Sequence, residues 1–167
     1  MTISWRDCAS GPVPRWRATV APPRPRVFID ADALFAGAAA PAEHGASLVV
    51  LRMAEITLID AVTSQQVIGE VERNLTAKLP AALPLFQVLV GRCLRVVPTP
   101  HTDELRAHAG RADPPDLPIL VAALREECPW LVTFNVRHFQ PGHPSVEVMR
   151  PGEFVQRVRH LLAHLSV

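Results

Sequence analysis

Val27-Phe28-Ile29-Asp30-Ala31-Asp32-Ala33-Leu34 carries the strongest structural signal in this 167-residue chain. Its first three residues form a short apolar run of the kind found in strands that are buried on both faces. The residues after Asp30 favour a helix, and a strand that leads directly into a helix is the repeating unit of α/β folds. Ligands of open parallel sheets bind just beyond the carboxyl ends of the strands. Asp30 is therefore the first candidate functional residue.

Short aliphatic runs and helical patterns continue to alternate downstream of this stretch. The runs predict further strands at residues 58–62, 94–97, 130–134 and 146–149. The helical patterns cover residues 33–39, 47–55, 64–78 (with Ser64 as N-cap), 83–92, 103–109 (with Thr102 as N-cap), 116–127 and 153–165. This order predicts a three-layer α/β/α sandwich around a mainly parallel sheet of about five strands, connected by right-handed crossovers.

Residues 1–26 differ in composition from the rest of the chain. They contain five Pro and five Arg against a single acid, Asp7, and have no apolar periodicity. We expect a flexible basic arm over residues 1–26 and one domain over residues 27–167. The arm has a net charge of +4, and the total of +1 leaves −3 for the remainder. Two interpretations of the arm stay open: contact with nucleic acid, or a solvated tail.

No apolar stretch reaches the length of about 18 residues that a membrane span needs, and the first ten residues contain no apolar signal segment. These features predict a cytoplasmic protein that does not contact membranes. The three Cys are far apart, which argues against disulfides and against a thiolate zinc site. The seven His are scattered. We single out His138 because it follows a predicted strand.

Acidic residues stand at positions where the predicted fold would gather them. Asp30 closes a strand and Asp116 opens a helix, so both can lie at one edge of the sheet. Either residue alone is also explained as a turn or helix-cap residue. Glu70 and Glu72 flank the apolar stripe of the helix over residues 64–78, and periodicity does not choose between them.

Four segments, in the same order, resemble the motifs of PIN-domain ribonucleases. They are the opening strand ending in Asp30, the segment Ser64–Leu75, the segment Asp113–Leu124, and the closing segment Leu131–Phe139. The resemblance implies that Asp30, Glu70 and Asp116 are metal ligands and that Asn135 is a fourth catalytic residue. The closing segment is similar to that of VapC-type PIN-domain toxins.

Two positions depart from the family pattern. Many members have Asp where Asn135 stands, and Asp32 replaces a usual Asn. An amide oxygen can hold a metal-bound water but adds no charge, so a second ion would bind weakly. Asp32 or Asp113 would then supply the missing charge, unless both are turn residues. Thr133 is a candidate for orienting a carboxylate through its hydroxyl.

Carboxylate ligands suit Mg²⁺ or Mn²⁺, which activate water and stabilise charge during phosphodiester cleavage. The resemblance thus implies a metal-dependent endoribonuclease that cleaves single-stranded or loop RNA, with Arg137 or the basic arm binding phosphates. It also implies the toxin of a toxin–antitoxin pair. The antitoxin would cover the acidic cleft by inserting an Arg or a helix. A homodimer is expected from the same analogy.

Two other functions stay open on the sequence. A PIN-like module that binds RNA or protein without catalysis is compatible with Asn135. A phosphohydrolase of the haloacid-dehalogenase type would also have Asp30-Ala31-Asp32 after an aliphatic strand. That class needs a lysine near the phosphate, and the only Lys of the chain, Lys78, ends a predicted helix.

Overall fold

The computed structural model describes residues 24–39 and 45–164. The predicted basic arm therefore lies almost wholly outside the described residues, as does the end of the last predicted helix. The strands are β1 (Arg26–Ile29), β2 (Asp60–Ser64), β3 (Leu94–Val97), β4 (Trp130–Val132) and β5 (Glu147–Met149). The α-helices are α1 (Ala31–Ala39), α2 (Ala46–Glu55), α3 (Gln65–Lys78), α4 (Leu83–Cys93), α5 (Thr102–Arg106), α6 (Leu117–Arg125) and α7 (Pro151–Ala163). Two 3-10 turns cover Pro80–Ala82 and Val136–Phe139.

The five strands form one parallel sheet in the order β3-β2-β1-β4-β5. The chain moves outward from β1 to β2 and β3, then returns past β1 to β4 and β5. With right-handed crossovers, α1 to α4 cover one face and α5 and α6 cover the other. Helix α7 packs against α2 on the first face. The predicted α/β/α sandwich is confirmed, and strand order reverses between β1 and β4.

The core forms where the sequence is most apolar. Val27, Phe28 and Ile29 of β1 are at most 1% exposed. The apolar stripe of α3 is equally buried, and the Ser64 side chain caps this helix by accepting a hydrogen bond from the Val67 amide. Each such large apolar side chain contributes about 1.5–3 kcal/mol through burial. This packing fixes the carboxyl ends of the central strands.

Strand β2 begins two residues later than predicted. Thr57 has a positive φ of 61° and ends α2 in a left-handed turn. The Leu58 amide then bonds to the Met53 carbonyl, as in the Schellman helix end. Residue 58 thus belongs to the helix end instead of the strand. A β-branched residue seldom occupies this conformation, so the local sequence did not indicate the turn.

Helix α5 and strand β4 also differ from prediction at their ends. Helix α5 is capped by His101 instead of Thr102, because the Glu104 carboxylate accepts a hydrogen bond from the His101 amide at 2.7 Å. The helix also ends at Arg106, three residues early. Strand β4 ends at Val132 because the next residue, Thr133, turns its hydroxyl toward carboxylates. Within the described residues, no helix has the length and apolar character needed to span a membrane.

Candidate functional site

Strand order reverses between β1 and β4, and the residues that follow these two strands meet at the carboxyl edge of the sheet. The Asp30 amide donates to the Val132 carbonyl at 3.0 Å, which extends the β1–β4 pairing to the end of both strands. Asp30 and Thr133 therefore lie side by side. Open α/β sheets bind their ligands at this kind of position.

Asp30 is only 5% exposed. One carboxylate oxygen accepts a hydrogen bond from the Ala31 amide at 2.6 Å, and the other accepts one from the Thr133 hydroxyl at 2.8 Å. Both bonds orient the carboxylate from the protein side. A buried carboxylate is unfavourable unless it is paired, protonated or bound to a cation.

Asp32 approaches the same hydroxyl. Its two carboxylate oxygens lie 3.2 and 3.1 Å from Thr133 Oγ1, and one of them accepts a hydrogen bond from the Phe134 amide at 2.9 Å. The Thr133 hydroxyl has one proton and also accepts from the Asn135 amide at 3.1 Å, so it cannot satisfy both aspartates at once. Two carboxylates are thus held together around a single donor.

Asp116 precedes α6 but its side chain does not cap that helix. The carboxylate instead lies 3.3 Å from Nδ1 of His138, on the 3-10 turn after β4. Asp113 completes a group in which one ligand atom from each of Asp113, Asp116 and His138 lies within 4.8 Å of the others. Asp116 thus occupies the N-cap position without capping through its side chain, and its carboxylate is available for other contacts.

The electrostatics link these groups into one cluster. The pKa of Asp30 is raised to about 7, mainly by burial and then by the charges of Asp32 and Asp116, while the hydrogen bonds from Ala31 and Thr133 oppose the shift. Burial also raises the pKa of Asp116; the His138 ring opposes this, while Asp113 and Asp32 add to it. Burial is the largest cause of both shifts, and the neighbouring carboxylates add to it.

The structure distinguishes Glu70 from Glu72. The Gln66 side chain at the start of α3 donates to the carbonyl of Pro115, the neighbour of Asp116, at 3.5 Å. Glu70 follows Gln66 by four residues and so lies on the same face of the helix. The Glu72 carboxylate instead accepts from Gln87 of α4 at 3.4 Å. Glu70 is half-buried and forms no hydrogen bond or ion pair with other described residues.

Two predicted residues contact the cluster less directly. Asn135 is exposed. Its main-chain amide donates to the Thr133 hydroxyl, and its main-chain carbonyl accepts from the His138 amide at 2.9 Å. Arg137 is exposed and forms no ion pair within the described part of the chain. Both residues stand on the turn that borders the cluster, so their side chains are accessible to a ligand.

The donor set at the centre fits a hard divalent cation. Asp30, Asp32 and Asp116 offer only oxygen, which Mg²⁺ and Mn²⁺ prefer, and Glu70 lies one helical turn after Gln66, whose side chain contacts the loop before Asp116. A divalent cation would also favour the ionised carboxylates of Asp30 and Asp116, whose pKa values are raised by burial first and by neighbouring carboxylates second. Sequence reasoning did not place His138 next to Asp116. The signal that singled out His138 was its position after a predicted strand, which does not name a partner.

Comparison with known proteins concerns the family and the fold. The family model described as PIN domain matches residues 26–137. No match was found among curated protein sequences. The fold is similar to that of a chain in the crystal structure of VapBC2 from Rickettsia felis bound to a DNA fragment from their promoter. The TM-score is 0.57, the sequences are 15% identical, and the alignment covers 75% of this chain and 98% of that one. It is also similar to a chain in the structure of FitAB bound to IR36 DNA fragment, with a TM-score of 0.50, 14% identity, and coverage of 75% and 94%.

Proposed function

Because this chain belongs to the PIN-domain family, we propose that it is a metal-dependent endoribonuclease that cleaves single-stranded or loop RNA. Membership of the family supports a hydrolase that acts on phosphodiester bonds. The observation that carries the proposal is the buried carboxylate of Asp30, held beside Asp32 and Asp116 with its pKa raised to about 7. Such a cluster is unfavourable without a cation, and a bound divalent cation at this place could activate water for phosphodiester cleavage.

We assign the metal-binding role to Asp30, Glu70 and Asp116, with Mg²⁺ or Mn²⁺ as the ion. The ion would supply an activated water and neutralise charge on the phosphate. Thr133 fixes the Asp30 carboxylate through its hydroxyl, at 2.8 Å. The side-chain amide of Asn135 can orient a water at the border of the cluster. Asp32 and Asp113 supply negative charge around these ligands.

RNA would approach from the exposed side of the cluster. Arg137 lies two residues beyond Asn135 and is exposed, so its guanidinium can bind a flanking phosphate in a bidentate manner. Arg111 is also exposed, and its main chain pairs with Gly142 near the same turn. Positive charge beside a metal cluster offsets the repulsion between carboxylates and the RNA backbone.

We further propose that the protein is the toxin of a toxin–antitoxin pair and acts in the cytoplasm. The resemblance to VapC-type toxins and the likeness to VapBC2 and FitAB support this role. An antitoxin that inserts an Arg into the cluster would bind both Asp32 and Asp116 carboxylates and displace the metal. A homodimer stays a prediction.

Purified protein is expected to cleave a labelled single-stranded RNA pool when Mn²⁺ or Mg²⁺ is present. The reason is that the clustered carboxylates need a cation before they can approach phosphate. Product is measured on denaturing gels with metal, with EDTA, and with EDTA followed by excess metal. Single-stranded DNA of the same sequence and duplex RNA serve as substrate controls.

Equal amounts of product with and without EDTA would contradict the proposal that the protein is a metal-dependent nuclease. No product at any metal concentration contradicts it as well. RNA binding that is independent of metal, in the absence of product, would instead favour the non-catalytic module.

Asn135→Asp is expected to tighten Mn²⁺ binding and to destabilise the metal-free protein. The new carboxylate adds a hard anionic ligand at the border of the cluster, but also adds a negative charge when no cation is present. Calorimetric titration gives the affinity, and melting in EDTA gives the stability. The matched control is Gln156→Glu, which adds the same charge on the exposed face of α7. If both variants behave alike, Asn135 has no part in the metal site.

A further inference from the structure

Phe134 is an exposed aromatic side chain at the edge of the sheet where the acidic cluster lies. Four of the six Phe residues of the chain are at most 1% exposed and Phe35 packs against the core, whereas Phe134 is 45% exposed. Within the described residues it is the only Phe or Trp whose side chain is exposed to this degree. Single exposed apolar side chains are common on protein surfaces, so the surroundings of Phe134 decide what it can do.

The main chain of Phe134 is bonded to the acidic cluster. Its amide donates to a carboxylate oxygen of Asp32 at 2.9 Å, and it directly follows Thr133, whose hydroxyl donates to Asp30. The buried ring of Phe139 anchors the 3-10 turn that comes next. These contacts leave the Phe134 ring itself exposed. The ring therefore lies within one side-chain length of the cluster, on a backbone that is fixed before any ligand arrives.

The neighbours of the ring are polar. Asn135 and Arg137 are both exposed, and Arg137 forms no ion pair with other described residues. Phe134 thus does not continue into the contiguous apolar patch that forms the centre of a stable protein interface. A flat apolar ring and a guanidinium side by side instead match a nucleotide, which joins a flat base to a phosphate.

Stacking on an aromatic ring requires a base whose face is free. Bases of a duplex stack on each other, whereas unpaired bases of single strands and loops stack readily on Phe, Tyr or Trp side chains. Every base has such a face, so this contact tolerates different sequences. A ring beside the cluster therefore favours unpaired RNA over duplex RNA, independently of the metal ligands.

We propose that Phe134 stacks on an unpaired base of the RNA, next to the phosphodiester that the acidic cluster would cleave, while Arg137 binds a phosphate of the same segment. The ring sets the position of the strand relative to Asp30 and selects single-stranded RNA with little preference between bases. The inference rests on the proposed function in taking RNA as the substrate, but it concerns binding of the strand and not the cleavage step.

Fluorescence of a short single-stranded RNA of uridines with one central 2-aminopurine tests this contact. Binding is measured in the full-length Asp30→Asn protein with Mn²⁺, in which the RNA should stay intact. Stacking quenches 2-aminopurine, so its fluorescence should fall on binding. Adding Phe134→Ala or Phe134→Leu should remove this fall and weaken binding at least about 5-fold, the lower end of the effect of stacking one base on an aromatic side chain. Phe134→Trp keeps an aromatic face and should retain both.

An abasic site in place of 2-aminopurine shows whether the ring acts through the base. With Phe134 present, the abasic RNA should bind at least about 5-fold more weakly than the RNA with the base, whereas Phe134→Ala should bind the two RNAs almost equally. If removal of the base weakens binding by the same factor with and without the ring, the ring and the base do not interact and the proposal is overturned.

The matched control is Leu161→Ala on α7, which removes an apolar side chain of similar exposure, 44%. Helix α7 begins beyond β5 at Pro151, so Leu161 lies about 15 Å along the helix from the edge that carries the cluster. This variant should bind RNA as tightly as the protein with Leu161. A loss as large as that in Phe134→Ala would overturn the proposal.

The oligomeric state of Phe134→Ala tests the competing role of the ring in a protein contact. Unchanged RNA binding, together with a change from dimer to monomer in size-exclusion chromatography, overturns the proposal, and so does absence of RNA binding in the protein with Phe134. RNA that stacks on Phe134 but is never cleaved when Asp30 is present contradicts the proposed function and leaves this contact intact. Cleavage of dilute RNA that Phe134→Ala does not slow contradicts the contact alone.

Discussion

Asp30→Asn and Asp116→Asn are each expected to reduce RNA cleavage by at least about 100-fold, since even residues that only support metal ligands typically account for about 10–100-fold. Asp30 is the most buried carboxylate of the cluster, and the hydroxyl of Thr133 fixes its orientation. An amide in its place cannot balance the charge of a divalent ion. Initial rates on the same labelled RNA, at saturating Mn²⁺, measure the effect.

Folding should survive the first of these substitutions. An Asn at position 30 can still accept from the Ala31 amide, and Thr133 can turn its proton to Asp32, which already lies 3.1 Å away. The control is Asp103→Asn, which removes an exposed carboxylate of α5 that pairs with Arg106. Retained cleavage in Asp30→Asn, or equal losses in Asp103→Asn, would remove Asp30 from the site.

The sequence predicts the parts of this site that depend on local pattern. The apolar run before Asp30 identifies β1, and the alternation of strands and helices identifies the sheet edge where Asp30 and Asp116 meet. These two inferences need only short-range periodicity and the general topology of parallel sheets. Glu70 and Asn135 are predicted as site residues only from the resemblance of their segments to the motifs of PIN-domain ribonucleases.

Other parts depend on contacts between distant residues, which periodicity does not encode. Glu70 and Glu72 are equivalent on a helical wheel, and only the bond from Gln66 to Pro115, 49 residues away, relates one helix face to the acidic cluster. His138 is similar, because its proximity to Asp116 follows from the main-chain bond between Asp113 and His138.

The stability of the metal-free protein is expected to fall as pH rises from about 4 to about 7. Burial and the charge of Asp32 raise the pKa of Asp30 from 3.8 to about 7 in the folded protein. Between these values the folded state keeps a proton on Asp30 that the unfolded state has lost. The free energy of unfolding therefore decreases by up to about 1.4 kcal/mol per pH unit from this group, and becomes constant above pH 7.

Urea unfolding in metal-free buffer at pH 5, 6, 7 and 8 measures this dependence, with Asp30→Asn as the comparison because it removes the titrating group and keeps its shape. The unaltered protein should lose stability across this range relative to the variant, so that the variant is the more stable of the two at pH 8.

Added Mn²⁺ should reverse that order at pH 8, because the ion binds the ionised carboxylates of the unaltered protein and stabilises its folded state by mass action. Burial also raises the pKa of Asp116, so this group lowers stability in the same direction as the pH rises. Asp116 and its partner His138 are present in both proteins, so their contribution cancels in the comparison. Parallel pH profiles for the two proteins would mean that Asp30 is ionised at low pH in the folded state, and that its burial is offset by hydrogen bonds from the protein without any need for a cation.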